Sequence, residues 1–288
     1  MCYHWSMMLE SNPLVQKIVR LALLEDIGTG DATTELVVGP GQEARARVVA
    51  KAEGVLAGGP VARMVLREVD PHVSFEQLAP EGARVSPGNV VMKASGPARS
   101  LLLAERTLLN FVMRLSGVAT AASRFAEATR GTATTVLDTR KTTPGHRVLE
   151  KYAARLGGVR NHRMGLDSGV LIKNNHIALA GGIKEAVQRA REAAPVLLRV
   201  EVEVRSMDQV RQALEAGADC LLLDHMTLEE VREAVAYCAG RAAVEVSGNM
   251  TEEATLVMAQ QGVNFVSAGA ITHGAAWLDF AMYIEPAG

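Results

Sequence analysis

From about residue 130 onward one pattern repeats: a short run of apolar and β-branched residues, a polar break, then apolar positions at helical spacing. Strand-like runs fall near 134–138, 169–172, 197–203, 219–223, 243–247 and 263–267. Helical patterns over 181–194, 206–216, 227–239 and 251–261 follow most of them. Alternation of this length predicts parallel βαβ units. Six strands fall short of the eight of a regular (β/α) barrel, so the expectation is an incomplete, irregular one.

The earlier part of the chain lacks this repeat. Asn12-Pro13 predicts the start of an amphipathic helix that runs to about Glu25 and ends in the Gly28–Gly30 loop. ARARVVAKA and NVVMKASG read as strands, PVARMVLREV as a helix, and Pro80, Pro87 and Gly88 as turns. Arg99 to Ser116 predicts a helix apolar almost all round, hence buried on every side, with a second helix over Val118 to Thr129. The expected fold class is α/β. An N-terminal α+β domain over 1–116 precedes a barrel-like catalytic domain over 117–275, and the strand-like tail 276–288 rejoins the first domain.

Composition narrows the function classes. A chain of 288 residues has ample length for a packed core, and 48% hydrophobic with 22% charged residues is a globular balance. A net charge of −2 gives no global reason to expect nucleic-acid or membrane binding. The opening MCYHWSMMLE lacks the basic start and long apolar stretch of a signal peptide, and no run is long enough to span a bilayer, so a cytoplasmic protein is expected. Cys2, Cys220 and Cys238 are too few and scattered for a disulfide framework or a Cys-based zinc site. Cys220 and Cys238 read as small core residues.

Candidate chemistry sits where the apolar runs end. Lys173 closes GVLIK, Glu203 closes LLRVEVE, Asp224 closes CLLLD, and Arg140–Lys141 follow TTVLDT. Strand C-termini converge on one face of a barrel, where active sites are built. Between Arg140 and Lys173 stand eight cations against only Glu150 and Asp167, in a chain whose net charge is only −2. Arg147, Lys151 and Arg155, spaced by four, read as a solvated helix face. Arg140, Lys141, His162, Arg163 and Lys173 fall in loops or at strand ends and point to an anionic ligand with more than one negative charge. Glu203 and Asp224 suit Mg²⁺, a developing positive charge, sugar hydroxyls, or an ion pair with the cations. Ser247-Gly248-Asn249 and Ser267-Ala268-Gly269-Ala270 are small-residue turns after the last two strands, where barrels commonly hold a phosphate. His273 either assists there or is structural, and the histidines show no spacing of the HExxH kind.

Together the motifs EDIGTGDATT (25–34), AERTLLNFVMRLSGVAT (104–120), LDTRKTTPGHR (137–147), GGVRNHRMGL (157–166), LIKNNHI (171–177), VEVEV (200–204), LLLDHM (221–226), EVSGNMT (245–251) and VSAGAITH (266–273) resemble the quinolinate phosphoribosyltransferases. The resemblance implies phosphoribosyl transfer from phosphoribosyl pyrophosphate to quinolinate with decarboxylation, giving nicotinate mononucleotide, pyrophosphate and CO₂. It also implies Mg²⁺ and a homodimer or dimer-based hexamer with shared active sites. Carried over by motif, Arg140, His162, Arg163 and Lys173 hold the two carboxylates of quinolinate, and Arg106 reaches in from a neighbouring copy. Lys141 lies beside the pyrophosphate, Glu203 and Asp224 face ribose and metal, and Gly248, Gly269 and His273 take the 5′-phosphate. Asn174 and His225 depart from the family pattern, which has Asp and Asn there. Two rival readings are a Schiff-base aldolase or lyase using Lys173 and a non-catalytic phosphoribosyl-binding regulatory protein.

Overall fold

The computed structural model describes residues 9–287, so Cys2 and His4 lie outside the described residues. The chain forms two compact units. Among the described residues the first comprises 9–123, 143–158 and 275–287, and the second 124–142 and 159–274.

In the first unit, helix α1 (Pro13–Ile27) is capped by Asn12, whose side chain accepts from the Leu14 N–H at 2.9 Å. Helix α2 (Ala32–Val37) is capped by Asp31, whose pKa is lowered by hydrogen bonds from the Thr34 hydroxyl and backbone N–H. Strands β1 (Glu43–Ala50), β2 (Gly54–Val55), β3 (Ser74–Gln77), β4 (Arg84–Val85) and β5 (Val90–Pro97) surround helix α3 (Gly59–Val69) in sequence. The main sheet has the order β12-β1-β5-β3 and is antiparallel throughout. Its edge strand β12 (Phe280–Pro286) is the predicted tail strand, running from Ala44 opposite Pro286 to Ala50 opposite Phe280.

Two expectations for this unit fail instructively. The apolar stretch after Pro97 is one helix, α4 (Ala98–Ala128, 31 residues), with no break at Gly117. That glycine is there for close approach, since a Cβ on it would lie 2.1 Å from the Ala276 carbonyl oxygen. Of the face of helix α5 (Arg147–Leu156) expected to be solvated, Arg155 is exposed and Arg147 half-buried, but Lys151 is fully buried, as is the neighbouring Glu150. Glu150 accepts from Arg114 Nη2 at 2.6 Å and from the Thr143 hydroxyl at 2.7 Å, which satisfies the buried carboxylate.

The second unit is a six-stranded sheet in the order β6-β11-β10-β9-β8-β7, with every pairing parallel. Its strands are β6 (Thr135–Leu137), β7 (Val170–Ile172), β8 (Val200–Val204), β9 (Cys220–Asp224), β10 (Ala243–Ser247) and β11 (Phe265–Ser267). Strands β6 and β7 are the two edges, and a single parallel bridge from Leu137 to Arg160 extends the β6 edge. All six predicted strands are present in an unclosed barrel. Helices α7 (Ile183–Ala193), α8 (Met207–Glu215), α9 (Leu228–Cys238), α10 (Glu252–Ala259) and α11 (Ala270–His273) follow β7 to β11.

Alternation along the strands divides inside from outside. Val202, Val204, Leu221, Leu223, Val244 and Val246 belong to a core shared with the helix residues Val187, Val210 and Val231. Glu201, Glu203, Leu222, Asp224, Glu245 and Ser247 take the other phase and face the barrel interior or its mouth. Two local expectations change here. Strand β8 starts at Val200 instead of 197, because Pro195 opens a turn closed by the Leu198 N–H at 2.9 Å and leaves Leu197 95% exposed. A seven-residue helix, α6 (Asn174–Ala180), starts directly after Lys173, whose backbone N–H donates to His176 Nδ1 at 2.9 Å.

Candidate active site

At the C-terminal ends of the parallel strands the second unit holds a cleft of about 390 Å³. Its lining includes Arg140, Lys141, His162, Arg163, Lys173, Glu203, Asp224, Ser247, Gly248, Asn249 and Ser267. Gly269 and His273 lie beside it: a Cβ on Gly269 would stand 2.7 Å from Lys141 Cδ and 3.2 Å from His273 Nε2. Arg106 is exposed on α4 of the first unit and is not among the lining residues. The cleft thus gathers side chains from seven separate stretches of sequence.

One side of the cleft is cationic. The Arg140 Nε is buried and has no hydrogen-bond partner among the described residues. Arg163 donates from Nη1 to the Gly169 carbonyl at 3.1 Å, and its pKa is lowered by burial first and by the Arg140 charge second. Two neighbouring guanidinium groups, one with an idle buried donor, have the chemistry suited to a carboxylate or phosphate. Both are carried on short connections out of β6 and around residue 160. Asp138, with no exposed surface, ties these together by accepting from the His162 N–H at 2.9 Å and Asn161 Nδ2 at 2.6 Å.

His162 is turned inward. Its Nδ1 accepts from the Arg163 N–H at 2.7 Å, which leaves Nε2 as the protonated nitrogen facing Glu201 Oε2 at 3.1 Å and Glu245 Oε2 at 3.6 Å. Both ring nitrogens therefore serve protein groups, and the ring forms part of the cleft's floor. Burial, and then the charge of Glu201, push the Glu245 carboxyl up to about 8, so it carries a proton at neutral pH. Cys220 donates to Glu201 Oε1 at 3.5 Å, and burial, followed by these two carboxylates, raises its thiol well above the ordinary range, leaving it unreactive.

The other side of the cleft is acidic at its mouth. Glu203 stands 3.3 Å from Lys173 Nζ and accepts from Asn174 Nδ2 at 3.2 Å. Asp224 accepts from Arg205 Nη2 at 2.7 Å and lies 2.9 Å from His225 Nδ1. Beside them the backbone is strained: His225 and Asn249 have φ of 57° and 45°, left-handed values unusual for residues with side chains. Gly248 has φ of 114°, and a Cβ there would meet the His225 ring at 3.2 Å. The left-handed φ favours glycine in that turn, and Gly248 lines the cleft.

Asp138, Glu201, Glu245 and Arg205 belong to this site although strand-end reasoning passed over them. Arg205 carried the same signal as Lys173, a charge directly after an apolar run. Asp138 and Glu245 are carboxylates inside apolar runs, where an unpaired charge is too costly to keep.

The sequence matches two family descriptions in tandem. Residues 31–116 match the N-terminal domain and residues 118–283 the C-terminal domain of quinolinate phosphoribosyl transferase. The chain belongs to the quinolinate phosphoribosyltransferase family. A Synechocystis protein named "Probable nicotinate-nucleotide pyrophosphorylase (carboxylating)" is 42% identical over 91% of this chain and 90% of its own length. A Bacillus subtilis protein of the same name is 39% identical over 93% of this chain and 92% of its own. The solved nicotinate-nucleotide pyrophosphorylase of Francisella tularensis superposes with a TM-score of 0.91 at 38% identity, covering 96% of this chain and 99% of that one. The family is shared along both units, and so is the fold.

Proposed function

We infer that this member of the quinolinate phosphoribosyltransferase family transfers phosphoribose from phosphoribosyl pyrophosphate to the ring nitrogen of quinolinate and releases CO₂, yielding nicotinate mononucleotide for NAD biosynthesis. One observation carries the site assignment: Arg140 and Arg163 lie near each other, one with an idle buried donor, in the same cleft as the Glu203 and Asp224 carboxylates. The cationic wall, with Lys173, receives the two ring carboxylates, and His162 lies in the floor beneath. Ser247, Gly248, Asn249, Ser267, Gly269 and His273 take the 5′-phosphate, with Lys141 beside the pyrophosphate. Ser247, Gly248, Asn249 and Ser267 support this by lining the same cleft as the cations.

The ring nitrogen's lone pair forms the new bond to the sugar carbon as the bond to pyrophosphate breaks. The sugar carbon passes through oxocarbenium character, which the Glu203 and Asp224 carboxylates stabilise electrostatically. Once the nitrogen is quaternary, the ring accepts the electron pair of the C–C bond as CO₂ leaves, and a proton then fills the vacated ring position. No covalent bond to the protein is needed. The donors of Glu203 and Asp224 are carboxylate oxygens at the cleft mouth, the chemistry Mg²⁺ prefers, and the ion would there neutralise the leaving pyrophosphate.

The reading includes a homodimer or dimer-based hexamer in which Arg106 completes a neighbouring copy's site. Support comes from the exposure of Arg106 on α4 and from the exposed Leu21, Leu24, Leu36 and Val37 of the first unit. It also includes a cytoplasmic location, in keeping with the free thiols of Cys220 and Cys238. Among the described residues no helix is long and apolar enough to cross a membrane. The Schiff-base alternative gains nothing, because Lys173 is half exposed beside a carboxylate, the opposite of the desolvated surroundings that make an amine nucleophilic.

The test is turnover of quinolinate and of nicotinate with phosphoribosyl pyrophosphate and Mg²⁺, following CO₂ from the former. Quinolinate should be strongly preferred, since a monocarboxylate leaves a buried cation unpaired. Comparable kcat/KM for the two acids would defeat the assignment.

A further inference from the structure

As the side chains stand, the acidic pair at the cleft mouth is already neutralised. Arg205 is the first residue after β8, and its guanidinium lies on Asp224 Oδ2, with Nε at 3.0 Å and Nη2 at 2.7 Å. The same Nη2 is 3.5 Å from Glu203 Oε1. One guanidinium thus spans both carboxylates. The remaining partners of the pair are Lys173 and Asn174 on Glu203 and His225 on Asp224. Gln209 Oε1 accepts the Arg205 backbone N–H at 2.8 Å, which pins the main chain and not the side chain. The Arg205 side chain is 56% exposed while Asp224 is only 13% exposed, so the arginine can leave for solvent and the carboxylate cannot.

A divalent cation bound between these carboxylates needs the same oxygen lone pairs that Arg205 occupies, and a fixed guanidinium beside it would repel it. We propose that Arg205 is an internal counter-ion of the Glu203–Asp224 pair, which competes with a divalent cation for those oxygens and swings out when the metal binds. The proposal rests on the metal reading given above. It assigns Arg205 a task distinct from holding substrate: it keeps two like charges together before metal binds and sets how tightly metal is taken up. Lys173 cannot substitute for it, because its contact is with Glu203 alone.

The experiment measures Mn²⁺ binding to the full-length protein at low ionic strength without substrates, by electron paramagnetic resonance of the free ion. Wild type is compared with Arg205→Ala, Arg205→Lys, Asp224→Asn and the Arg205→Ala/Asp224→Asn double variant. Arg205→Ala should bind Mn²⁺ about three- to tenfold more tightly, the range expected of a half-exposed charge-assisted pair. Arg205→Lys, which keeps the cation, should stay near wild type, and Arg205→Ala should gain nothing in the Asp224→Asn background. If Asp224→Asn weakens binding while Arg205→Ala leaves it unchanged or weaker, the metal site stands and the counter-ion role is wrong. If no variant binds Mn²⁺ at millimolar concentration, the metal reading fails and takes this proposal with it. Should Arg205→Ala lose its fold by circular dichroism, Arg205→Gln carries the same test with the side-chain volume kept.

Discussion

Strands β1 and β8 carry nearly the same one-dimensional signal and come to opposite ends. In β1, EARARVVA, the charged residues Glu43, Arg45 and Arg47 alternate with small apolar ones and are exposed. In β8, VEVEV, Glu201 and Glu203 alternate with valines just as regularly, and every residue is buried. The strand's own sequence does not distinguish the two. Strand β1 lies in an antiparallel sheet with one wet face, whereas β8 is flanked by parallel neighbours, with helices behind it and a barrel interior in front. A carboxylate on a wet face is solvated. A carboxylate in a barrel must find a partner, and Glu201 and Glu203 find His162 and Lys173.

The sharpest way to break this contrast is to remove charge on the inner face. Glu203→Gln and Asp224→Asn should each lower kcat by about a hundredfold or more, because their charges matter most when the sugar becomes cationic. Quinolinate affinity, measured by calorimetry, should change far less, and Glu43→Gln on β1 should leave kcat alone. A variant at 203 or 224 with wild-type kcat and only weaker quinolinate binding would refute the role given to that residue.

A smaller effect is expected where a buried carboxylate organises the cationic wall from behind. Asp138→Ala strands the donors of Asn161 and the His162 backbone, so stability should fall by about 2–4 kcal/mol. KM for quinolinate should rise as Arg163 loses its fixed position. Urea unfolding and steady-state kinetics on the same preparation would show both changes or disprove the link.

Glu245 tests the barrel interior through pH. Its folded-state pKa, about 8, lies above the ordinary value of 4.5, so between those values the folded protein keeps a proton that the unfolded chain gives up. The associated stability is fully present below the lower value and is lost as pH rises through the upper one. Glu245→Gln removes this dependence, so urea midpoints at pH 5, 7 and 9 should move in favour of the variant as pH increases. Parallel curves for the two proteins would show that the carboxyl is ionised throughout.

The smallest effect belongs to the wet face. Arg47 stands 3.4 Å from Glu285 and 4.9 Å from the Tyr283 ring centre, all near the surface. Arg47→Ala should alter stability by only about 0.5–1 kcal/mol and turnover not at all. A loss of activity there would mean that the two strands are less different than their burial indicates.

Periodicity along the chain was enough to specify the six parallel strands, the incomplete barrel and the cationic and acidic strand ends, because a strand's length and a helix's spacing are local properties. Tertiary structure alone decided which charges are inside. Lys151 reads as part of a solvated helix face and is fully buried beside Glu150, because α5 packs within the first unit where Arg114 and Thr143 hold that carboxylate. Gly117 looks like a helix break and is a point of close approach to Ala276. Each of these depends on a partner distant in sequence. Whether a charge is hydrated or paired is set by what the rest of the fold brings against it, and no window of sequence contains that neighbour.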